Sequence, residues 1–394
     1  MQNGGVVSRG TGPGAVLEAI RKAKGLTRAS LVSATGLSRG TVSLRLDQLE
    51  ARNLIRVADG RESTGGRPAG FVTFNHESGV ALAADVGAEH VAVALTDLNG
   101  SLLAERSQAM AAAEGPERIL SWLESAFEDL LSEQGLSRSV VRGVGVSLAA
   151  PVDQTTGRPN RPPIMPGWDG YDIPGRIEAK FGAPVSVDKD ANLMALAEHK
   201  LHFEGIQHLI FVKVSTGIGS GIVLSGHLHH GVDGAAGDIG HIPVVGADNA
   251  ICRCGNRGCL EAVASGEAMA KALTAEGLKA DTPLDVVALV QAGSAEAIRI
   301  IREGSAKIGE VLVNVVNILN PEIVVIGGDI ARTDELLLAG IRSVVYQRSL
   351  PLATRKLRIV HARLEDRSGL IGAALMAIDR ALAPESIDRL FATE

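Results

Sequence analysis

The stretch from His241 to Val263 reads HIPVVGADNAICRCGNRGCLEAV. It holds every cysteine of the 394-residue chain: Cys252, Cys254 and Cys259. A disulfide framework belongs to short secreted chains with dispersed cysteines, and this chain is long with its cysteines clustered. Cys252 and Cys254 are too close for an easy mutual bridge, yet both can face one metal ion. Three thiolates and the imidazole of His241 complete a tetrahedral shell for a borderline-soft ion, so Zn2+ is the expected cofactor. Gly255 and Gly258 let the backbone curl around it. Four protein ligands leave no open position for a catalytic water, so the zinc is expected to be structural.

Outside this stretch the composition is 45% hydrophobic but only 3% aromatic, with 46 glycines, so the core must be built from Ala, Val, Leu and Ile with many tight turns. The length allows two or three domains. There is no run of 18 apolar residues and no signal-peptide pattern at the start, which leads to the expectation of a cytoplasmic protein without a membrane segment. Charge is uneven. Residues 1–70 carry 11 Lys/Arg against 5 Asp/Glu, a net of +6, so the remainder carries −12 of the total of −6. A basic head on an acidic body suits a head that meets nucleic acid.

The head has the pattern to match. A helix is expected over 14–24, with Val16, Leu17 and Ile20 on one side. Thr27 can cap a second helix, RASLVSAT, that stops at Gly36. Ser38 can cap a third, in which Val42, Leu46 and Leu49 form an inward stripe. The segment LIRVADGRESTGGRPAGFVTF then reads as two strands around a polar, glycine-rich loop. The sum is a winged helix-turn-helix, and its expected partner is a double-stranded DNA operator. The DNA-binding candidates are Ser38, Arg39, Thr41, Ser43, Arg45 and Gln48 on the third helix. Arg67 at the wing tip is placed for the minor groove. Two half-sites call for a homodimer or a dimer of dimers.

After about residue 78 strands and helices alternate. The same strand–turn–strand pattern recurs around Asp85 and around Thr216, which implies two related lobes with a cleft between them. Three domains are expected: 1–78, 79–188 and 189–394, with the last helix, near 368–382, returning to the first lobe.

From about residue 80 to 380 the chain resembles the ROK family of sugar kinases and sugar-responsive repressors, built on the actin/hexokinase-like (ribonuclease H-like) ATPase fold. With the winged head in front it is similar to the repressor branch, such as xylose and N-acetylglucosamine regulators. The motif that carries this most specifically is Gly240-His241 followed by CRCGNRGCLE, Cys252 to Glu261, which in that family binds zinc. The resemblance implies an α/β fold in which Thr216, Gly217 and Gly219 form one phosphate loop. Asp85 and Gly87 belong to the other. There the family kinases read Asp-x-Gly-Gly-Thr and this chain reads DVGAEH, so Glu89 brings a carboxylate to the place of a phosphate-binding hydroxyl. Asp190 matches the catalytic base. Lys189 stands where the family has a sugar-binding Asn, and Asp238 where it usually has Glu. His241 and Glu261 match sugar contacts. Lys189 is expected to pair with Asp190 or Asp238. The reading that follows is a DNA-binding regulator, a repressor of carbohydrate-related genes. A sugar or sugar derivative is sensed at Lys189, Asp190, Asp238, His241 and Glu261, with Asp190 a vestigial base and no catalysis. The alternatives are an active sugar kinase with a DNA-binding head, and a regulator that has lost sugar sensing.

Overall fold

The computed structural model describes residues 10–58 and 70–392. The head opens with α1 (Pro13–Lys22), whose first-turn proline spares an otherwise orphaned N–H and whose Val16, Leu17 and Ile20 are buried. A short strand, β1 (Leu26–Thr27), leads into α2 (Arg28–Thr35). The Thr27 hydroxyl caps α2 by accepting the Ser30 amide at 3.1 Å, and Gly36 ends the helix at φ 70°, a left-handed turn that suits glycine. The Ser38 hydroxyl accepts the Thr41 amide at 3.1 Å and so caps α3 (Arg39–Ala51), which buries Val42, Leu46 and Leu49. The two expected wing strands are β2 (Ile55–Ala58) and β3 (Phe71–Phe74), and they pair antiparallel in a sheet of order β1-β3-β2. Residues 59–69 between them, with Arg67, lie outside the described residues.

Two sheets of one topology make up the body. The first is built from β4 (Val80–Val86), β5 (His90–Asp97), β6 (Leu102–Ala109), β7 (Val141–Leu148) and β8 (Val185–Lys189), in the order β6-β5-β4-β7-β8. The second comprises β9 (Leu209–Val214), β10 (Ile218–Leu224), β11 (His227–Leu228), β12 (Ile323–Gly327) and β13 (Arg358–His361), in the order β11-β10-β9-β12-β13. In each, the first three strands form an antiparallel meander and the last two join parallel to the first. The expected doubling around Asp85 and Thr216 is this repeat: the β4–β5 and β9–β10 turns are equivalent points of the two sheets.

The parallel strands need crossovers, and helices supply them. In the first lobe α4 (Pro116–Glu133) connects β6 to β7, α5 (Ile173–Phe181) connects β7 to β8, and α6 (Asp190–His202) follows β8. In the second, α7 (Leu260–Ala264), α8 (Gly266–Ala275), α9 (Pro283–Gln291) and the long α10 (Ala295–Leu319) lie between β11 and β12. Then α11 (Glu335–Arg348) and α12 (Pro351–Thr354) precede β13, and α13 (Ser368–Ala381) follows it. Apolar residues of each sheet and its helices form a separate core.

The counterpart helices α6 and α13 pack together between the lobes. Their approach is close enough that a Cβ on Gly372 would lie 2.0 Å from the Leu193 carbonyl oxygen. Leu370, Ala373, Ala374, Ala377 and Ile378 of α13 are all buried, the face expected from their spacing. The helix at 368–382 is not the last, however. One more, α14 (Pro384–Ala392), follows it and turns to the head, where Ile387 enters the same core as Val16, Leu17, Ile20 and Leu46. Ala377, Ile378 and Leu382 join that core too, so head and body share apolar packing. Among the described residues no helix is long and apolar enough to cross a membrane.

Candidate effector cleft, metal clip and nucleic-acid interface

The ends of β4, β8 and β9 and the N-terminus of α6 open onto a cleft of about 330 Å3 between the lobes. Most of the residues singled out from the sequence line it: Glu89, Lys189, Asp190, Thr216, Gly217, Gly219, Asp238, His241 and Glu261. Asp85 is buried beneath the β4–β5 turn. These residues share one cleft, and the charges of Lys189, Asp238, Asp190 and Asp85 are engaged with one another or with neighbouring side chains.

Lys189, at the end of β8, donates to Asp238 Oδ1 at 2.8 Å and to the Ala236 carbonyl at 3.3 Å. Of the two partners expected for Lys189, Asp238 is the one it takes. Asp190 opens α6, where a carboxylate is favoured by the helix dipole and Oδ1 lies 2.6 Å from the Ala191 amide. Its Oδ2 accepts from Lys213 of β9 at 2.5 Å. The sequence reading passed over Lys213, although a lysine within the apolar strand LIFVKV was the available signal.

The β4–β5 turn is closed by a residue that was likewise passed over, His90. Its Nε2 is 3.4 Å from Asp85 Oδ2, and its ring lies so close over the turn that a Cβ on Gly87 would come within 2.3 Å of it. Asp85 is held below the usual carboxylate range: burial pushes it up, but the bond and charge of His90, with Lys213 behind them, outweigh that. The same bond to Asp85 raises His90 above its ordinary value, against the opposing effect of burial. Glu89 projects beside it, exposed at the cleft.

On the opposite wall, the Glu261 carboxylate accepts the Ile218 amide at 3.1 Å, fixing the glycine-rich β9–β10 turn. Glu261 is in α7, two residues after Cys259, which holds the N-cap position of that helix, so the turn is tied to the cysteine cluster. One ligand atom from each of His241, Cys252, Cys254 and Cys259 lies within 4.8 Å of the other three. Cys252 Sγ is 3.7 Å from His241 Nδ1, and Cys254 Sγ is 3.8 Å from Cys259 Sγ. Edges of about 3.4–3.8 Å are what a tetrahedral zinc shell of sulfur and nitrogen produces, so the donor set fits that ion. The loop is braced for the purpose: the Cys252 amide donates to Asn256, the Gly255 amide to Cys252, and Pro243 pairs with Cys259 across an antiparallel bridge. Burial, then hydrogen bonds with the neighbouring thiols, push the Cys259 thiol up to about 12, and a bound cation would favour its thiolate.

In the head, Leu44, Arg39 and Ser38 are exposed on α3, and Ser43 and Thr41 are half-buried. Arg28 of α2 donates to the Ser43 hydroxyl at 3.4 Å. Arg45 Nε donates to the Thr11 carbonyl at 3.0 Å and its Nη1 to Gln48 at 2.9 Å, so this pair also secures the entry to α1.

Comparison with known proteins agrees with this architecture. Residues 81–380 match the ROK family and residues 14–56 match a winged helix-turn-helix DNA-binding family. The chain belongs to the ROK family. It is 27% identical over 372 residues to the xylose repressor of Bacillus spizizenii, covering 93% of this chain and 94% of that one. A glucokinase of Halalkalibacterium halodurans is 30% identical over 304 residues, 73% of this chain and 92% of its own. The crystal structure of a ROK family transcriptional regulator, a homolog of the E. coli MLC protein, superposes with a TM-score of 0.83 at 25% identity, covering 97% of this chain and 98% of that one. The glucokinase match leaves about a quarter of this chain uncovered, whereas the matches to the two regulators span nearly all of both chains.

Proposed function

We propose that this protein is a transcriptional repressor of carbohydrate-related genes. Its winged head binds an operator through Ser38, Arg39, Thr41, Ser43, Arg45, Gln48 and Arg67, and its cleft senses a sugar or sugar derivative. The observation that carries the reading is the union of a winged head with a sugar-kinase cleft whose acids are tied internally, Asp238 by Lys189 and Asp190 by Lys213. The sugar is held by Asp238, His241 and Glu261, with Lys189 and Asp190 at its side. Zn2+ on His241, Cys252, Cys254 and Cys259 would act structurally: it polarises nothing and holds α7, so that Glu261 keeps the β9–β10 turn in place. Sugar binding favours one arrangement of the lobes, and the two heads of a homodimer respond by changing their spacing on the half-sites.

The test is selection of bound fragments from genomic DNA, followed by a mobility-shift titration with pentoses, hexoses and N-acetyl sugars. A specific fragment whose affinity falls with one sugar is expected. The kinase reading is favoured by one observation, the position of Asp190 at the N-terminus of α6, and it requires sugar-dependent ADP release.

A further inference from the structure

Lys213 lies at a point of the second sheet that side chains on either strand avoid. Its register neighbours are Gly219 on β10 and Gly327 on β12, so the lysine stem has glycine on both sides. Gly219 is at the start of β10, beside the β9–β10 turn that the family resemblance gives as a phosphate loop, and Gly327 is the last residue of β12. The Lys213 side chain is 21% exposed and its ammonium pairs with Asp190; Asp329 lines the same cleft, and the charges of Asp85 and Asp329 also act on the lysine. Asp329 follows Gly328 directly and accepts a hydrogen bond from the Ser215 hydroxyl. One cation that the chain itself provides thus bonds one carboxylate, Asp190, and stands in the field of two more, Asp85 and Asp329, from the two lobes.

We propose that Lys213 is the resident counter-cation of the cleft: it stands among Asp85, Asp190 and Asp329 where a divalent cation would otherwise be drawn, and so bars metal–nucleotide while the sugar side stays open. Burial would discharge an isolated lysine, but Asp190, then Asp85 and Asp329, raise its pKa, so it is an ammonium at neutral pH. A fixed ammonium needs no recruitment from solvent and offers no open coordination position to phosphate oxygens. Hard divalent cations, in contrast, seek several carboxylate oxygens at once. Sugar hydroxyls reach Glu261, His241 and Asp238 without displacing it. The proposal rests on the reading of the cleft as one without phosphoryl transfer.

The experiment is a Mn2+ titration of the full chain, purified with its endogenous metal, followed by electron paramagnetic resonance. The native protein is expected to leave Mn2+ free up to about millimolar concentration, whereas Lys213→Met gains one site at least about tenfold tighter. Lys213→Arg, which keeps the charge, should remain blind to Mn2+, and adding Asp190→Asn to Lys213→Met should abolish the gain. The proposal is overturned if the native chain binds Mn2+ and loses it on Asp190→Asn, or if folded Lys213→Met gains nothing. Should Lys213→Met not fold, Lys213→Gln carries the same readout, and failure of Mn2+ to raise the melting temperature of either variant also overturns it. Sugar-dependent ADP release by the native chain would instead refute the repressor-only reading, so the two failures are told apart.

Discussion

The amide of Gly14 donates to Asp388 Oδ1 at 2.8 Å, joining the first helix of the chain to its last across 374 residues of sequence. Gly14 is in the first turn of α1, whose N–H groups have no partner within the helix, and a carboxylate there also meets the positive end of the helix dipole. The fit is tight, since a Cβ on Gly14 would lie 2.2 Å from the Pro384 carbonyl oxygen. Below this contact Ile387 is buried and Arg52 lies over the Phe391 ring at 4.8 Å. Asp388→Asn is expected to cost about 0.5–1 kcal/mol and Ile387→Ala about 2–4 kcal/mol, read from denaturant unfolding. Full stability after removal of residues 383–394 would contradict this anchoring.

A second tie concerns communication. Asp379 of α13 pairs with Lys200 of α6 and lies 3.8 Å from Arg21 of α1. The helix that begins with Asp190 in the cleft therefore ends two ion pairs away from the head, with Asp379 shared between them. These groups are partly exposed, so their effect on stability is small, about 0–1 kcal/mol. Asp379→Ala should nevertheless reduce the change in operator affinity caused by sugar, with sugar affinity itself kept. Mobility shift and calorimetry on one preparation check this, and an undiminished sugar response rules the route out.

Much of this was legible in the sequence because the signals are local. The cysteine clip lies within 19 residues from His241 to Cys259, and the caps Thr27 and Ser38 act within three residues. Lys213, His90 and α14 were not read. The meaning of Lys213 depends on Asp190, on another strand's end, and on glycines of two neighbouring strands. His90 matters because the turn folds its ring back over Gly87. The α14 segment PESIDRLFA has a starting proline and an Ile387/Phe391 pair one turn apart, yet its value as an anchor appears only when the head is beside it.

Zinc gives a direct chemical prediction. Purified protein should contain about one zinc per chain, and Cys254→Ser should lose it. Because α7 and Glu261 depend on the clip, strong chelation should lower the melting temperature and impair sugar binding together. Elemental analysis and a melt with and without chelator decide it, and a metal-free chain of unchanged stability refutes the assignment.

The His90–Asp85 pair predicts a pH dependence. His90 is raised above its usual value, so its contribution is full below the unfolded-state pKa and declines as pH rises through the folded one, in a window opening near about 6.5. Asp85 is lowered, so its contribution holds above the unfolded carboxylate pKa, about 3.9, and declines as pH falls below it. The imidazole is half-exposed, which keeps its part modest. Melting temperatures of His90→Gln should fall less than those of the native chain between about pH 6.5 and 8. Parallel curves would show that the pair does not titrate as described.

Operator binding should be steeply salt-dependent, because the head, with a net of +6 over residues 1–70, displaces counterions from phosphates. Ser43→Ala and Arg67→Ala should both weaken it, Arg67 by roughly 1–3 kcal/mol and more strongly on A·T-rich flanks. Arg45→Ala should in addition lower stability, since it releases the Thr11 carbonyl and Gln48. Equal affinity at low and high salt would contradict a phosphate-binding head.

Phosphoryl transfer is the sharpest test of the cleft. Asp190 has the position of a base, but its Oδ2 faces the Lys213 ammonium, the β4–β5 turn is covered by His90, and Glu89 adds a negative charge where phosphate oxygens would come. A coupled ADP-release assay over hexoses, pentoses and N-acetyl sugars should therefore give no turnover by the native chain. Lys189→Asn frees Asp238 to accept a hydroxyl and should change sugar affinity without creating activity. Adding Ala88→Gly and Glu89→Thr repairs the turn only in part, because His90 still lies over Gly87 and Lys213 still holds Asp190. Recovery of nucleotide binding should require Lys213 to be replaced as well. Sugar-dependent ADP release by the native protein, abolished by Asp190→Ala, would make the kinase reading the correct one.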